Sequence, residues 1–334
     1  MAALVGWALI ALVLFWLAEN FFRHRELFTY TLLIGITNGA VYALVALGYT
    51  LVYGILELIN FAHGDVFMLG AMISYWFIVQ VFHVGANPSA GTLVEAIVLT
   101  MLVVMVVCAI INMTVERIAY RPLRHAPRLA PLITAIAASF ILENIALSRT
   151  GAGYEALTQS PLPSGQIVSL GGNSYTWGQL IVVLITLPVL VGLIWLVQYT
   201  RRGKAMRATA QDREAAAMMG INVNRTISFT FAIAGALAGA AGLVWMLYNT
   251  TIRYDSGFRL GLIAFTAAVV GGIGNLTGAV LGGLVIGLIE SFNNGLIWHS
   301  PGGDWTESIV FTILILILVF RPSGLLGERT PEGG

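Results

Sequence analysis

The reactive side chains of this sequence are few and scattered. Its single cysteine, Cys108, lies in an apolar run, so no disulfide can form within the chain. A nucleotide-binding P-loop around Gly203-Lys204 would need a glycine where Gln198 stands and a hydroxyl residue where Ala205 stands. The five histidines do not have the spacing of metal ligands. The sequence therefore predicts no metal site, no cofactor and no ATP hydrolysis in this chain.

An intramembrane enzyme is the least favoured class. An aspartyl protease of the membrane would need Tyr-Asp and, later in the chain, Gly-x-Gly-Asp. Here Tyr254-Asp255 comes after Ala62-His63-Gly64-Asp65, and alanine replaces the first glycine of the motif. No serine lies in a nucleophile motif with a partner histidine.

Polar residues inside apolar runs are the more informative group. Asn38, Tyr42, Tyr49 and Tyr53 fall close to one face of a predicted helix, because a helix turns once every 3.6 residues. Such a face is a candidate wall of a substrate pathway.

Carboxylates inside apolar runs are costly and indicate function. Glu143 and Asn144 lie late in one run, and Glu290 ends another. The alternative is that these side chains reach water at the ends of their helices.

Two glycine-containing segments, 59–65 and 271–278, interrupt pairs of apolar runs. Broken helices in membrane proteins often line a substrate path, because their free ends bind polar groups. The alternative is an ordinary turn capped by Asn60 or Asn275. The candidate pathway residues are Asn38, Tyr42, Asn60, His63, Glu143, Asn144, Gly272 and Asn275.

The composition predicts a membrane protein. Of 334 residues, 58% are apolar and only 10% are charged, and the mean hydropathy is +0.86. The net charge of +1 also gives no electrostatic basis for binding nucleic acid. We expect an all-α polytopic bundle of eight to ten transmembrane helices with glycine-broken or re-entrant segments, because 260–292 either crosses twice or forms a re-entrant hairpin. The apolar runs are 2–18, 31–53, 66–84, 93–113, 129–148, 178–198, 227–248, 260–273, 276–292 and 306–320.

Arginine placement predicts the orientation. The loops 114–128 and 199–226 and the C-terminal tail carry most of the basic residues, so we expect all three in the cytoplasm. The long loop 149–177 then lies outside, either as a connector or as a docking surface for an outside partner. Glycines that recur every four residues predict close helix packing.

The loop 199–226 contains the most specific pattern. Its Ala, Met, Arg and Glu residues predict one helix over 204–219, and Gly220 is a natural stop. It could be an amphipathic connector. However, Glu-Ala-Ala followed by three residues and Gly is the pattern of the loop through which ABC importer permeases contact their ATPases. The candidate coupling residues are Arg207, Asp212, Glu214, Ala215, Ala216 and Gly220.

With this loop, the chain resembles permeases of the branched-chain amino acid ABC transporter family, of the LivH type. The resemblance implies a transmembrane permease domain over 31–327 that contains the coupling loop 199–226. It leaves 1–30 as an N-terminal extension with one extra transmembrane helix and 328–334 as a short cytoplasmic tail. The similar stretches are Asn38–Gly48, Tyr53–Gly64, Tyr120–Arg124, Ala130–Ala135, the segment 204–220, Phe265–Gly274 and Arg321–Gly327.

The resemblance also implies partners and a location. These are a second permease, identical or LivM-like, two cytoplasmic ATPases that bind ATP and Mg, and an extracytoplasmic substrate-binding protein. The location implied is the bacterial inner membrane, with lipid around the bundle. The cargo would be a branched-chain amino acid, urea, an amide or a similar small polar solute. An ion-coupled carrier or a passive solute channel is the alternative, although it leaves the Glu-Ala-Ala loop unexplained.

Overall fold

The computed structural model describes residues 2–85, 88–124, 126–127, 129–298, 300–321 and 323–327, with side chains from residue 11 onward. The predicted tail 328–334 lies outside the described residues. The described chain is mainly helical, with four short strands and connecting turns and loops. Its α-helices are α1 (Ala2–Arg23), α2 (Arg25–Leu56), α3 (Ala62–Trp76), α4 (Ala90–Val115), α5 (Leu129–Thr150), α6 (Trp177–Tyr199), α7 (Arg201–Gln211), α8 (Arg213–Met218), α9 (Val223–Asn249), α10 (Ser256–Gly271), α11 (Leu276–Gly295) and α12 (Thr306–Phe320).

Eight helices in the described part of the chain are long and apolar enough to cross a bilayer. A π-helical turn lengthens α3 to Val81, and π and 3₁₀ turns lengthen α4 to Leu123. The prediction of an all-α polytopic membrane protein is confirmed. The spans are α2, α3, α4, α5, α6, α9, α11 and α12 with their extensions.

The short apolar run at 260–273 corresponds to α10, which has sixteen residues. At 1.5 Å per residue this helix rises about 24 Å, less than the ~30 Å hydrocarbon core. Its partner α11 follows after a four-residue turn, and the two pack closely because glycines face each other at Gly271 and Gly278. The pair 256–295 is therefore one short helix joined to one helix of spanning length.

The centre of the bundle is α2, of which 89% of the most apolar window is buried. It packs against α9, α10 and α11. A Cβ on Gly283 would come 2.5 Å from the Ala43 backbone nitrogen, and one on Gly39 would come 2.7 Å from Leu284 Cα. The predicted packing role of these glycines is confirmed, because no side chain would fit between the two helices.

Basic loops gather at one end of the bundle, the basic end. Arg213 donates a 2.7 Å hydrogen bond to the Ile55 carbonyl oxygen, and Asn275 donates one of 2.9 Å to that of Leu326. The predicted shared side of the three basic segments agrees with this arrangement. The basic end comprises 114–124, 199–222, 321 and 323–327, with the turns 57–61 and 272–275.

The opposite end, the hairpin end, carries the strands. β1 (Glu155–Ala156) pairs antiparallel with β4 (Thr251–Ile252), and β2 (Gln166–Leu170) pairs with β3 (Asn173–Thr176). The loop 149–177 is thus partly a β-hairpin, which the sequence analysis did not predict. Its tip is held to α2, because the Gly171 amide donates a 2.7 Å hydrogen bond to Glu26.

Two helices begin inside the bundle. The His63 ring, in the first turn of α3, lies against Gly48, which is eight residues before the end of α2. Eight residues correspond to about 12 Å of helix. The start of α10 lies at the same depth, because a Cβ on Gly261 would come 2.9 Å from Gly64 Cα. The predicted break of the chain within 59–65 is therefore confirmed.

One sequence prediction about local structure is wrong. The segment 204–219 is not one helix, because Asp212 has extended dihedrals (φ −156°, ψ 115°) and separates α7 from α8. The chain between the first two apolar runs is almost entirely helical, since α1 continues to Arg23 and α2 begins at Arg25.

Candidate functional site

The start of the coupling loop is fixed to α6. Thr200 caps α7 by accepting a 3.0 Å hydrogen bond from the Gly203 amide. Arg207 donates to the Val197 carbonyl oxygen and, at 3.1 Å, to that of Gln198. These bonds satisfy carbonyls that the end of α6 leaves unpaired. α7 is therefore anchored to the membrane-spanning helix that precedes it.

Asp212 then changes the direction of the chain and begins α8. Its Oδ1 accepts hydrogen bonds from the amides of Glu214 (2.8 Å) and Ala215 (3.0 Å). The negative charge of an aspartate at this position is also stabilised by the positive N-terminal end of the helix dipole. Asp212 is one of the candidate coupling residues, and its local role in the structure is that of a helix cap.

α8 ends in a left-handed turn at Gly220. Gly220 has φ +82°, and the next amide, of Ile221, donates a 3.0 Å hydrogen bond to the Ala216 carbonyl oxygen. Only glycine adopts this conformation without strain. Ala216 is buried beneath the turn, while Met218 and Met219 have 82% and 83% of their surface exposed. α8 therefore presents a pair of apolar side chains outward.

An open cavity of about 370 Å³ separates the coupling loop from the ends of α2 and α5. Arg213 crosses its edge to reach the end of α2 at Ile55. Charged residues line the cavity from both sides, Glu57 and Arg124 from the bundle and Asp212 and Glu214 from the loop. Beside the cavity, α7 packs against α2 and α9, so the coupling loop is held to the transmembrane bundle.

A buried charge network lies behind this cavity and was not predictable from the sequence pattern. Glu116 is fully buried and forms an ion pair with Arg124. The other Glu116 oxygen accepts a 2.6 Å hydrogen bond from Ser228, and Arg124 donates one of 2.5 Å to Asn224. The network joins the end of α4 to the start of α9. Its only sequence signal was a glutamate directly after a long apolar run.

Near the hairpin end, two predicted pathway residues on α2 lie beside a glutamate of α11. Asn38, Tyr42 and Glu290 line a small cavity of about 30 Å³ with Trp245 and Tyr248. Glu290 Oε2 is buried and accepts no hydrogen bond from a described residue. A carboxylate oxygen without a partner, inside a polar cavity, can receive a ligand proton donor.

A larger cavity of about 240 Å³ opens beside it, and Trp245 borders both. Arg253, Asp255 and Arg259 line the larger cavity. Arg253 Nε donates a 2.5 Å hydrogen bond to Asp255, and this bond holds the pKa of the Asp255 carboxyl below its usual range. Arg259 is paired with Glu307 at 3.1 Å, so both arginines of the larger cavity have a carboxylate partner, whereas the smaller cavity contains the buried Glu290 carboxylate.

Asn60 and His63 lie elsewhere, in the packed interior. Asn60 donates a 3.3 Å hydrogen bond to Asn112 and accepts one of 3.1 Å from Tyr120. The His63 ring is fully buried against Tyr49, with ring centroids 4.7 Å apart. Their positions agree with a role in fixing the break between α2 and α3.

Glu143 and Asn144 do not join the cavities. Asn144 is exposed, and its amide donates a 2.8 Å hydrogen bond to the carbonyl oxygen of Phe140 on its own helix. Glu143 is half-buried on the same helix, α5.

Gly272 and Asn275 form the turn between α10 and α11 at the basic end. Gly272 has φ +107°, and a Cβ there would meet the backbone at 323–327. Asn275 caps α11 by accepting a 2.9 Å hydrogen bond from the Gly278 amide. The turn therefore lies at the opposite end of the bundle from the cavities of the hairpin end, in agreement with the alternative interpretation of a capped turn.

Comparison with known proteins places the chain in a family. The sequence model of the branched-chain amino acid transport system permease component matches residues 31–319. The high-affinity branched-chain amino acid permease protein BraD of Pseudomonas aeruginosa is 37% identical over 301 residues, which are 89% of this chain and 95% of BraD. LivH of Escherichia coli is also 37% identical, over 306 residues, with the same coverage of 89% and 95%.

A more distant relative is the fructose import permease protein FrcC of Rhizobium meliloti, 29% identical over 161 residues, or 46% of this chain and 42% of FrcC. No solved structure matches the chain. The helical bundle and these similarities define the class of protein, a multi-span membrane permease. More particularly, the chain belongs to the family of permease components of branched-chain amino acid transport systems. The match begins at residue 31 and therefore excludes α1.

Proposed function

We propose that this chain is the membrane-spanning subunit of an ABC importer that moves a branched-chain amino acid into the cytoplasm. Separate ATPase subunits bind ATP and Mg and supply the energy, while a second permease and an extracytoplasmic binding protein complete the complex. The observation that carries the proposal is the coupling loop, in which a capped two-turn helix presents Met218 and Met219 at the basic end. In this proposal the basic end faces the cytoplasm of a bacterial cell.

The geometry supports a coupling role for α8. A short helix with small residues and two exposed methionines can enter a cleft in an ATPase, because methionine packs readily into irregular apolar surfaces. A displacement of α8 acts on α2 through the hydrogen bond from Arg213 to the Ile55 carbonyl oxygen. Since α2 is the central helix, its shift alters the packing of α9, α10 and α11 around it. The ATPase state and the bundle state are then linked by their coupling free energy.

The cavities of the hairpin end support a zwitterionic cargo. An amino acid carries an ammonium and a carboxylate group on the same carbon. The ammonium group can donate to the unpartnered oxygen of Glu290. Arg259 lines the larger cavity in an exposed ion pair with Glu307, and it can exchange this weak partner for the carboxylate group. Urea and simple amides lack these two charges, so the site favours amino acids over them.

The proposal is tested by reconstituting the chain with its ATPases and binding protein in liposomes and measuring uptake of labelled leucine. Glu214→Arg and Gly220→Pro are expected to abolish uptake and the cargo-stimulated part of ATP hydrolysis. Glu95→Arg, an equal charge change on an exposed residue near the hairpin end, is the control and is expected to keep the ATPases bound.

Normal leucine uptake by assembled complexes of both coupling variants would refute the coupling role. Leucine flux through the purified chain alone, without ATPases, would favour the ion-coupled carrier or the passive channel instead.

A further inference from the structure

A second cavity at the basic end has no place in the proposed transport cycle. It is an open groove of about 440 Å³ between the ends of α4 and α9 and the first turn of α7. Its floor is apolar and is formed mainly by Met113, Ile221, Phe229 and Ala232. Its rim carries three arginines, Arg117, Arg202 and Arg225.

The groove has a strong excess of positive charge. None of its described lining residues is a carboxylate. Among the residues that the structure describes, neither Arg117 nor Arg225 has a hydrogen bond or ion pair from its side chain. The Arg202 guanidinium lies over the Phe229 ring, 4.6 Å from its centroid, which orients it toward the groove floor. Three guanidinium groups therefore surround one apolar depression without a protein counter-ion.

The groove lies at the depth of the membrane surface. Ile118, beside Arg117, has 73% of its surface exposed and continues the exposed apolar face of α4 that includes Val106 and Ile110. On the neighbouring helix α6, Trp195 and Tyr199 are also exposed just before α7 begins. Exposed aromatic residues at the end of a span mark the boundary between hydrocarbon and headgroups. The arginines are therefore placed where lipid phosphates lie, and the apolar floor continues toward the acyl chains.

We propose that this groove is a binding site for an anionic phospholipid. The phosphate group accepts hydrogen bonds from the arginines, since guanidinium and phosphate groups match in geometry and charge. The part of an acyl chain nearest the headgroup covers Phe229 and Ala232. Basic pockets between transmembrane helices commonly hold such headgroups. Because Arg202 belongs to α7 and Arg117 to α4, the bound lipid bridges the coupling loop and the bundle.

The site is independent of the transport cargo and is tested by lipid binding to the full chain in detergent. Phosphatidylglycerol and phosphatidylcholine with identical acyl chains are titrated separately, and bound lipid is counted by native mass spectrometry. In the Arg202→Gln/Arg225→Gln variant, we expect phosphatidylglycerol to bind about 25-fold more weakly, from about fivefold for each arginine near a membrane surface. Phosphatidylcholine binding should not change.

The matched control is Arg201→Gln/Lys204→Gln, which removes two positive charges from α7, the helix of Arg202, without altering the groove lining. It should bind phosphatidylglycerol like the parent chain. The Arg202→Lys/Arg225→Lys variant keeps the charge and should retain most of the binding, which separates charge loss from misfolding. Equal loss in both Gln variants would show a general surface charge effect and overturn the proposal. Unchanged phosphatidylglycerol binding with loss of co-purified ATPase would assign the groove to a protein partner and would also overturn it.

Discussion

A single carboxylate, that of Asp212, decides the shape of the coupling loop. Every residue from 204 to 219 other than Asp212 is compatible with one uninterrupted helix, and the sequence predicted such a helix. Asp212 instead uses its side chain to bond the amides of Glu214 and Ala215, which requires extended backbone dihedrals at Asp212 itself. Residue propensity alone could not show this competition, because it depends on how α7 and α8 are held against the bundle.

Replacing this cap tests its importance. Asp212→Ala removes the acceptor for two amides and should destabilise the α8 helix by about 1 kcal/mol. We expect the variant complex to assemble but to show a reduced leucine-stimulated ATPase rate. Asp212→Asn keeps the acceptor oxygen and is the control, with nearly parental stimulation. An Asp212→Ala complex with the parental stimulated rate would contradict a coupling role for the α8 geometry.

The buried pair of Glu116 and Arg124 makes a separate prediction about stability. Arg124→Met leaves the buried Glu116 carboxylate without its cation and should lower the free energy of unfolding by about 3–5 kcal/mol. The double variant Glu116→Met/Arg124→Met removes both charges and should recover most of that loss. Thermal unfolding of the purified chain in detergent measures both. A double variant that is less stable than Arg124→Met alone would contradict this account.

At the scale of elements, most helices were predictable from the sequence, because long apolar runs and glycines at four-residue spacing carry direct physical meaning. The break before α3 and the short α10 were also predicted. The depth at which α3 and α10 begin was not, because it depends on the meeting of Gly64 with Gly257 and Gly261, which are almost two hundred residues away. For the same reason the Glu116 network could not be found, since Ser228 comes from another helix.

The contact between α2 and α11 predicts a difference between two glycines. Gly283→Leu would place a side chain against the Ala43 backbone and should cost at least about 1–3 kcal/mol, because neither helix can move away from its neighbours. Gly192→Leu on α6 is the control, since a Cβ there has no neighbour within 4 Å. The yield of monodisperse protein and its thermal midpoint compare them. Equal midpoints would show that the helices separate more easily than the packing indicates.

At the scale of the whole molecule, the candidate site divides into two parts at opposite ends. The candidate coupling residues lie together on one loop, whereas the predicted pathway residues are divided between a cavity, the packed interior, an exposed helix face and a turn. A list of polar residues cannot distinguish these environments, because each of them needs polar groups for a different reason. Cavity lining depends on which faces of α2, α9 and α11 meet, and the sequence does not contain that information locally.

Orientation is testable because the chain has one cysteine, Cys108, which is buried. In a Cys108→Ala background, Met219→Cys reports on the basic end and Ser164→Cys on the hairpin end. A membrane-impermeant maleimide should label Ser164→Cys in intact spheroplasts, and Met219→Cys only after permeabilisation. Labelling of Met219→Cys from outside would reverse the orientation and remove the basis for the ATPase contact.

The close fit of α2 against α11 has a consequence for biosynthesis. Ribosomes deliver α2 to the membrane first, but its glycine-lined partner surface is more than two hundred residues away, near the C-terminal side of the chain. At about 5–20 residues per second, translation needs roughly 10–45 seconds to produce that partner. During this interval the small-residue stripe of α2 must be covered by lipid, by the insertion machinery or by helices that later give way. Completion of the molecule's centre is therefore one of the last events of its synthesis.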